Sequence, residues 1–285
     1  MEKETLIFDK LDLIPRDIFH CGQAFHWEYD GSYYHTVHRD RVISIKKEGK
    51  KIYIRGATRK EWNEVWKEYF DIATDYKEIR KELEIHEPLK QALEYGQGIR
   101  ILRQDPFETI ITFIISSNSH IPRIKNTVKT MSKEYGQWIE NRNGLDFYAF
   151  PRPEQLAKVS AKEIREIGRV GYRDRYIIDT AKIIAECTDF TRWRELTTKQ
   201  LRKKLMKLPG VGPKVCDCIL LFAYHRMEVF PVDVWIHRVM ESLFLKETIP
   251  RKEIAKKAYE LFGNYGGYAQ QYLFYYGKDH KIGVN

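Results

Sequence analysis

Two side chains stand out for what they could do together. Lys214 opens an apolar segment directly after Leu208-Pro209-Gly210-Val211-Gly212-Pro213, and Asp233 follows nineteen residues later in Pro231-Val232-Asp233. A lysine is a poor choice at a helix N-terminus, because its charge opposes the positive end of the helix dipole. Such a residue can be a solvated ammonium that snorkels to water or touches a phosphate. It can also be a nucleophilic amine, favoured in its neutral form by the same dipole and by burial. Asp233 divides in the same way, into a plain helix cap or a carboxylate that stabilises positive charge developing beside the amine. Position alone leaves both pairs of readings open.

The elements that must position these groups can be read from the pattern around them. Leu201, Leu205 and Leu208 form the apolar stripe of one helix, which the glycines and Pro213 then break. From Lys214 through Phe222 the chain is apolar enough to be a second, buried helix. Two short helices joined by a tight glycine turn, over about residues 199–223, make a hairpin. The N–H groups of Gly210, Gly212, Lys214 and Val215 at its turn would hold a phosphate without reading base sequence.

Upstream, Asp30-Gly31 separates residues 25–29 from 33–37, and Glu48-Gly49 separates 42–45 from 52–54. Both are hairpin signals between alternating segments, so four or five antiparallel strands with one covered face are predicted. After Thr58 the period becomes helical: Trp62, Val65, Trp66, Tyr69 and Phe70 lie on one stripe, which reads as core. Asp105-Pro106-Phe107-Glu108 and Ser160-Ala161-Lys162-Glu163 have the form of capping boxes. The rest of the chain reads as almost all helix. The predicted fold class is α+β, with a small antiparallel sheet domain over residues 1–98 and a helical body over 99–285.

Composition bounds the partners. Lys and Arg number 49 against 40 Asp and Glu, leaving a formal charge of +9, which suits a polyanionic partner. No apolar run is long enough to span a bilayer and no charged leader precedes an apolar stretch, so an intracellular, cytoplasmic protein is expected. Cys21, Cys187, Cys216 and Cys218 lack metal-knuckle spacing, and neither a disulfide framework nor an iron–sulfur cluster is expected. Cys216 and Cys218, on their apolar segment, read as core thiols.

The run Leu208-Pro-Gly-Val-Gly-Pro-Lys-Val-Cys-Asp-Cys218, followed by Pro231-Val-Asp-Val234, resembles the helix-hairpin-helix DNA glycosylases that carry both lysine and aspartate. More narrowly, it resembles the 8-oxoguanine DNA glycosylases of the HhH-GPD superfamily. Four further segments support the narrower match: Cys21–Trp27, Ser116–Arg123, Gly171–Tyr176 and Tyr268–Phe274. The tail from Gly263 to Asn285 has no cysteine, unlike the endonuclease III-like and adenine glycosylases, and Lys214 sets the chain apart from most alkylpurine enzymes. A bare DNA-binding module would leave Lys214 and Asp233 dispensable for all but affinity.

The resemblance implies a TBP-like sheet before an HhH-GPD body, and a bifunctional glycosylase/lyase of base excision repair acting on duplex DNA containing 8-oxoguanine. It implies that Lys214 attacks C1′ and forms a Schiff base, that β-elimination follows, and that Asp233 supports the amine and the oxocarbenium-like transition state. Tyr172 would be the wedge, and Asn118, with Arg123 and Arg173, would meet the orphaned cytosine. In the pocket, Phe274 and Cys218 would cover the two faces of the flipped base, and Gln270 would pair with its Watson–Crick edge. The Gly22 carbonyl would accept the N7 hydrogen that only oxidised guanine has. The chemistry implies no required cofactor; a structural cation on the carbonyls of Met206, Leu208 and Val211 is a family feature. Two positions depart from the pattern. Trp235 stands where many relatives have a histidine near a phosphate, and Phe222 replaces a flexible residue of the pocket wall. The size suggests a compact bacterial or archaeal form, and the resemblance implies a monomer associated with the nucleoid.

Overall fold

Alternating apolar residues and glycine turns draw the N-terminal region into a five-stranded antiparallel sheet. The computed structural model describes residues 4–245 and 247–283. Its strands are β1 (Leu6–Phe8), β2 (Trp27–Tyr29), β3 (Tyr34–His38), β4 (Arg41–Glu48) and β5 (Lys51–Arg55), in the order β1-β5-β4-β3-β2. Both predicted turns are present. At the first, Asp30 Oδ1 accepts the Ser32 and Tyr33 N–H groups and Gly31 takes a positive φ. Ile43, Ile45, Ile52 and Ile54 point from β4 and β5 into a buried layer with Phe19, Trp62 and Trp66. The aromatic stripe behind this layer is helical, though not as one regular helix. It runs as Arg59–Glu61, a π-helical turn Trp62–Trp66 and Lys67–Tyr69, and Trp62, Trp66, Tyr69 and Phe70 are all buried.

The reading of everything after Thr58 as almost all helix needs correction. A two-stranded hairpin, β6 (Trp138–Arg142) and β7 (Leu145–Tyr148), interrupts the helical body. Its turn is Asn143-Gly144, both at positive φ, which is a hairpin signal that sequence analysis passed over. The hairpin covers the second face of the N-terminal sheet. Phe147 packs on Val37 and Val42, and Arg142 donates to the Ser44 hydroxyl and the Val42 carbonyl.

The helical body surrounds the long buried helix Pro106–Ser116, capped by Asp105, whose Oδ1 accepts from Phe107 and Glu108. Glu108 does not close a box there; it pairs with His26 Nδ1 at 3.1 Å and so joins the two parts of the chain. Likewise Ser160 caps its helix through the Glu163 N–H, half of the expected box. The seam is further stitched where Leu102 N–H meets Gln23 Oε1 at 2.8 Å and Arg103 N–H meets the Tyr69 carbonyl at 2.9 Å. No described helix is long and apolar enough to cross a membrane.

Candidate active site

The predicted helical hairpin forms. Thr198–Leu205 is followed by a turn and then Pro213–Phe222, with Leu201, Leu205 and Leu208 buried against the second helix. Burying each leucine contributes roughly 1.5–3 kcal/mol, so the apolar stripes set the angle at which the turn is presented. Thr197 closes a full capping box with Gln200. In the turn, Val211 N–H returns to the Leu208 carbonyl and Gly210 takes φ +79°. A Cβ at Gly210 would meet the Tyr176 ring at 3.0 Å, and Thr180 Oγ1 donates to the Pro209 carbonyl. Gly212 is the N-cap, so Lys214 and Val215 lie among the first helical residues, whose N–H groups have no intrahelical acceptor. Lys204 and Arg202 add positive charge behind the turn, although Arg202 is paired with Asp217 and Lys204 with Asp189.

Asp233 caps the next helix, Val234–Met240, with Oδ1 accepting from the Ile236 N–H at 2.8 Å. Its carboxylate and Lys214 face one cleft of about 920 Å³. The same cleft is lined by Gly22, Cys218, Gln270 and Phe274, drawn from three separate stretches of the sequence. Its inner wall is aromatic. Phe222 stacks on Phe113 at 5.4 Å, Phe25 meets Phe113 edge-on at 5.7 Å, and Lys214 Nζ lies 5.4 Å from the Phe113 centroid.

Cys218 is fully enclosed in this wall. Burial pushes its thiol up to about 11, against the opposing pull of Lys214, with Asp233 reinforcing the rise. It therefore presents a neutral, polarisable surface near neutral pH. Gln270 is buried and its Oε1 has no hydrogen-bond partner. A buried carbonyl left open costs about 1–3 kcal/mol, which a ligand donor would recover. Gly22 takes φ +80°, and Phe274 fills the space where a side chain would stand.

Asn118 follows the Pro106–Ser116 helix at φ +50°, exposed at the rim of the cleft with Arg123. Arg123 donates to the Arg169 carbonyl at 2.9 Å. Arg173 was expected beside Asn118, and it is there, but buried. Its guanidinium donates to the carbonyls of Ser117, Asn118 and Val170, so that it holds the backbone of Asn118, and only Nε is left unpaired. The neighbouring Tyr172 is more than half exposed, 57%, and stands with Arg173 beside a second groove floored by Gly210, Val211 and Gly212. Trp235 is half-buried at the edge of the cleft, with the Arg238 guanidinium 5.7 Å from its ring. Met206 is exposed, and the Leu208 carbonyl, which accepts from Val211, retains its second lone pair. Among the described residues no group of three His, Cys, Asp or Glu could hold a metal ion.

Two family descriptions match this chain: the 8-oxoguanine DNA glycosylase N-terminal domain over residues 5–110, and the HhH-GPD superfamily of base excision DNA repair proteins over residues 111–264. The chain belongs to the 8-oxoguanine DNA glycosylase family of that superfamily. This glycosylase is 33% identical to a probable N-glycosylase/DNA lyase of Methanothermobacter thermautotrophicus, over 72% of this chain and 71% of that protein. Its fold is similar to that of MBOgg1 in complex with a low-affinity DNA ligand (TM-score 0.93, 38% identity, 99% and 98% of the two chains). It is also similar to the Clostridium acetobutylicum 8-oxoguanine glycosylase/lyase in complex with double-stranded DNA containing cytosine opposite 8-oxoG. There the TM-score is 0.90 and the identity 36%, over 99% and 100% of the chains.

Some residues in and around the glycosylase cleft are not singled out by the sequence. Nothing in the spacing of Phe113 and Phe25 distinguishes a pocket wall from a packed interior. Gln271, at the cleft, and Gln23, beside it, carry a signal that could have found them. Each is a glutamine in an apolar setting, and a buried amide needs named partners.

Proposed function

We propose that this glycosylase excises 8-oxoguanine opposite cytosine in duplex DNA and then nicks the strand, through a covalent intermediate on Lys214. The observation that carries the reading is the convergence of Lys214 and Asp233 on one cleft with Gly22, Cys218, Gln270 and Phe274. Duplex binding at the Gly210–Val215 turn brings the strand over this cleft, and the target nucleotide leaves the stack to enter it, at a cost of a few kcal/mol. Tyr172 wedges the stack and Asn118, held by Arg173, meets the orphaned cytosine with Arg123.

In the pocket, the base lies between Phe274 and Cys218. The Gln270 amide pairs with its Watson–Crick edge, and the Gly22 carbonyl accepts its N7–H. Normal guanine has an acceptor at N7, and two buried acceptors facing one another are unfavourable. Lys214 Nζ, as the neutral amine, forms a bond to C1′ while the C1′–N9 bond breaks and its electron pair leaves with the base, which takes up a proton. Asp233 stabilises the positive charge that develops on the sugar. Ring opening gives the iminium, loss of a C2′ proton expels the 3′ phosphate, and water then releases the lysine. An amine nucleophile supplies this chemistry without a required cofactor. A cation on the carbonyls of Met206, Leu208 and Val211 would brace the phosphate contact, and no step runs through it. The enzyme works as a monomer on nucleoid DNA.

The test is borohydride trapping on duplexes with 8-oxoguanine opposite C, T, G or A, with Lys214→Gln and Gln270→Ala alongside. Wild type should give a covalent adduct, strongest opposite cytosine, which Lys214→Gln abolishes and Gln270→Ala weakens. Tight DNA binding with no adduct and no released base on any duplex would overturn the reading.

A further inference from the structure

The turn that carries Gly22 is gripped from outside its own segment. Gln271, only 1% exposed, donates Nε2 to the Cys21 carbonyl at 2.6 Å across 250 residues of sequence. Two helical turns on, Lys278 Nζ donates to the His20 carbonyl at 2.9 Å. On the other flank, fully buried Gln23 donates to the Arg100 carbonyl at 2.7 Å and the Ile18 carbonyl at 3.1 Å. These bonds matter because Gly22, at φ +80°, has no side chain to restrict its rotation. Gln271 holds the oxygen of the peptide plane between Cys21 and Gly22, and Gln104 Nε2 donates to the Gln23 carbonyl at 2.8 Å beyond it, so the plane that carries the Gly22 carbonyl is confined from both sides. Gln271 also lies on the same helix, Gly266–Asp279, as Gln270 and Phe274. One helix therefore carries the proposed edge-reading amide, the proposed stacking ring and the grip on the peptide that precedes the proposed N7 acceptor.

We propose that Gln271 is a positioning residue for lesion discrimination: its amide locks the Cys21–Gly22 peptide so that the Gly22 carbonyl stays aimed into the base pocket. The inference rests on the reading above, in which that carbonyl accepts N7–H. A purely structural amide would support the fold and all activities alike. A positioning amide affects the base-dependent step and spares the step that needs no base.

The experiment compares two reactions of the same protein: single-turnover excision of 8-oxoguanine opposite cytosine, and nicking of a preformed abasic site opposite cytosine. Gln271→Met keeps the side-chain length and removes the donor. Its excision rate should fall roughly 10- to 100-fold, as for a misplacement near 1 Å, with abasic-site nicking held within a few fold. Its preference for 8-oxoguanine over guanine in duplex binding should shrink by about tenfold, the equivalent of 1.4 kcal/mol. Gln271→Glu adds a pH signature: a carboxylate cannot donate, whereas a carboxylic acid can. Its excision relative to wild type should rise as pH falls.

Unchanged excision and discrimination in Gln271→Met would overturn the proposal, and so would equal losses in excision and nicking. Should Gln271→Met fail to fold, a Gln271→Glu to wild-type ratio that stays flat with pH overturns it instead. Wild type that leaves 8-oxoguanine untouched overturns the underlying substrate reading, so the two failures are distinguishable.

Discussion

Gly22 and Phe274 occupy space that only a glycine can share: a Cβ at position 22 would lie 2.7 Å from Cε1 of Phe274. The backbone adds a second constraint, since φ +80° costs an L-residue about 1–2 kcal/mol. Gly22→Ala therefore either displaces the ring or opens the turn. In both cases the proposed base pocket loses its stacking ring or its N7 acceptor. The expected outcome is at least a roughly tenfold loss of 8-oxoguanine excision, the equivalent of one lost or misplaced contact. Melting should fall by about 2–8 °C for a destabilisation of that size in a chain of this length. Abasic-site nicking, measured on the same preparation, should be kept. Wild-type excision in Gly22→Ala would remove this contact from the account.

Asp233 is a helix cap in the structure and a charge stabiliser in the proposed reaction, and different substitutions separate the two. Its Oδ1 caps the Val234–Met240 helix through the Ile236 N–H, and asparagine caps equally well. Asp233→Asn should keep the melting temperature and lose excision by about 100-fold or more, in line with removing a preorganised charge at a developing cation. Asp233→Ala should lose the same activity and, in addition, about 1 kcal/mol of stability. Single-turnover rates and urea midpoints on both variants check this. An active Asp233→Asn enzyme would leave the carboxylate as a cap alone.

The hairpin turn should affect affinity without regard to the lesion. A Cβ at Gly210 would press on the Tyr176 ring at 3.0 Å, in a backbone conformation already unfavourable to L-residues. Gly210→Ala should push the N–H donors of the turn away from a phosphate. Affinity for undamaged and 8-oxoguanine duplexes should fall by the same factor, roughly tenfold for the loss of about 1.4 kcal/mol. Titration of both duplexes at fixed salt tests it, and a loss confined to the damaged duplex would contradict it.

What the sequence made legible follows from how local each signal is. The glycine hairpin, the two caps at Asp105 and Asp233, and the alternation of β4 and β5 are decided within a few residues, and each is present. The meeting of Gly22 with Phe274, or of Gln271 with Cys21, joins residues some 250 apart, and the residues alone do not declare it. Only the resemblance to a family brought Gly22, Gln270 and Phe274 together in advance. It did not supply Gln271, whose role depends on what a buried amide touches in this chain. The β6–β7 hairpin is a different kind of miss. Its Asn143-Gly144 turn was local and readable, but Trp138-Ile-Glu-Asn-Arg142 alternates too weakly to look like a strand without the sheet it covers.

One buried and one mostly buried histidine give stability a pH dependence of definite sign. His38 packs against Tyr69 at 4.7 Å and Trp66 at 6.2 Å, and burial, with Arg39 and Arg41 adding to it, pushes it down to about 3. His225 is pushed down to about 4, burial outweighing the opposing pull of Asp71, whose Oδ2 lies 3.5 Å away. Both are neutral when folded and take up a proton near 6.5 when unfolded. The unfolded chain thus binds more protons below that value, and stability falls as pH drops from 6.5 toward 4. By linkage each contributes a loss on the order of 2 kcal/mol between pH 7 and pH 5. Urea midpoints at the two pH values should separate clearly for wild type and much less for the His38→Gln, His225→Gln double variant. Equal drops in both proteins would assign the acid sensitivity to other groups.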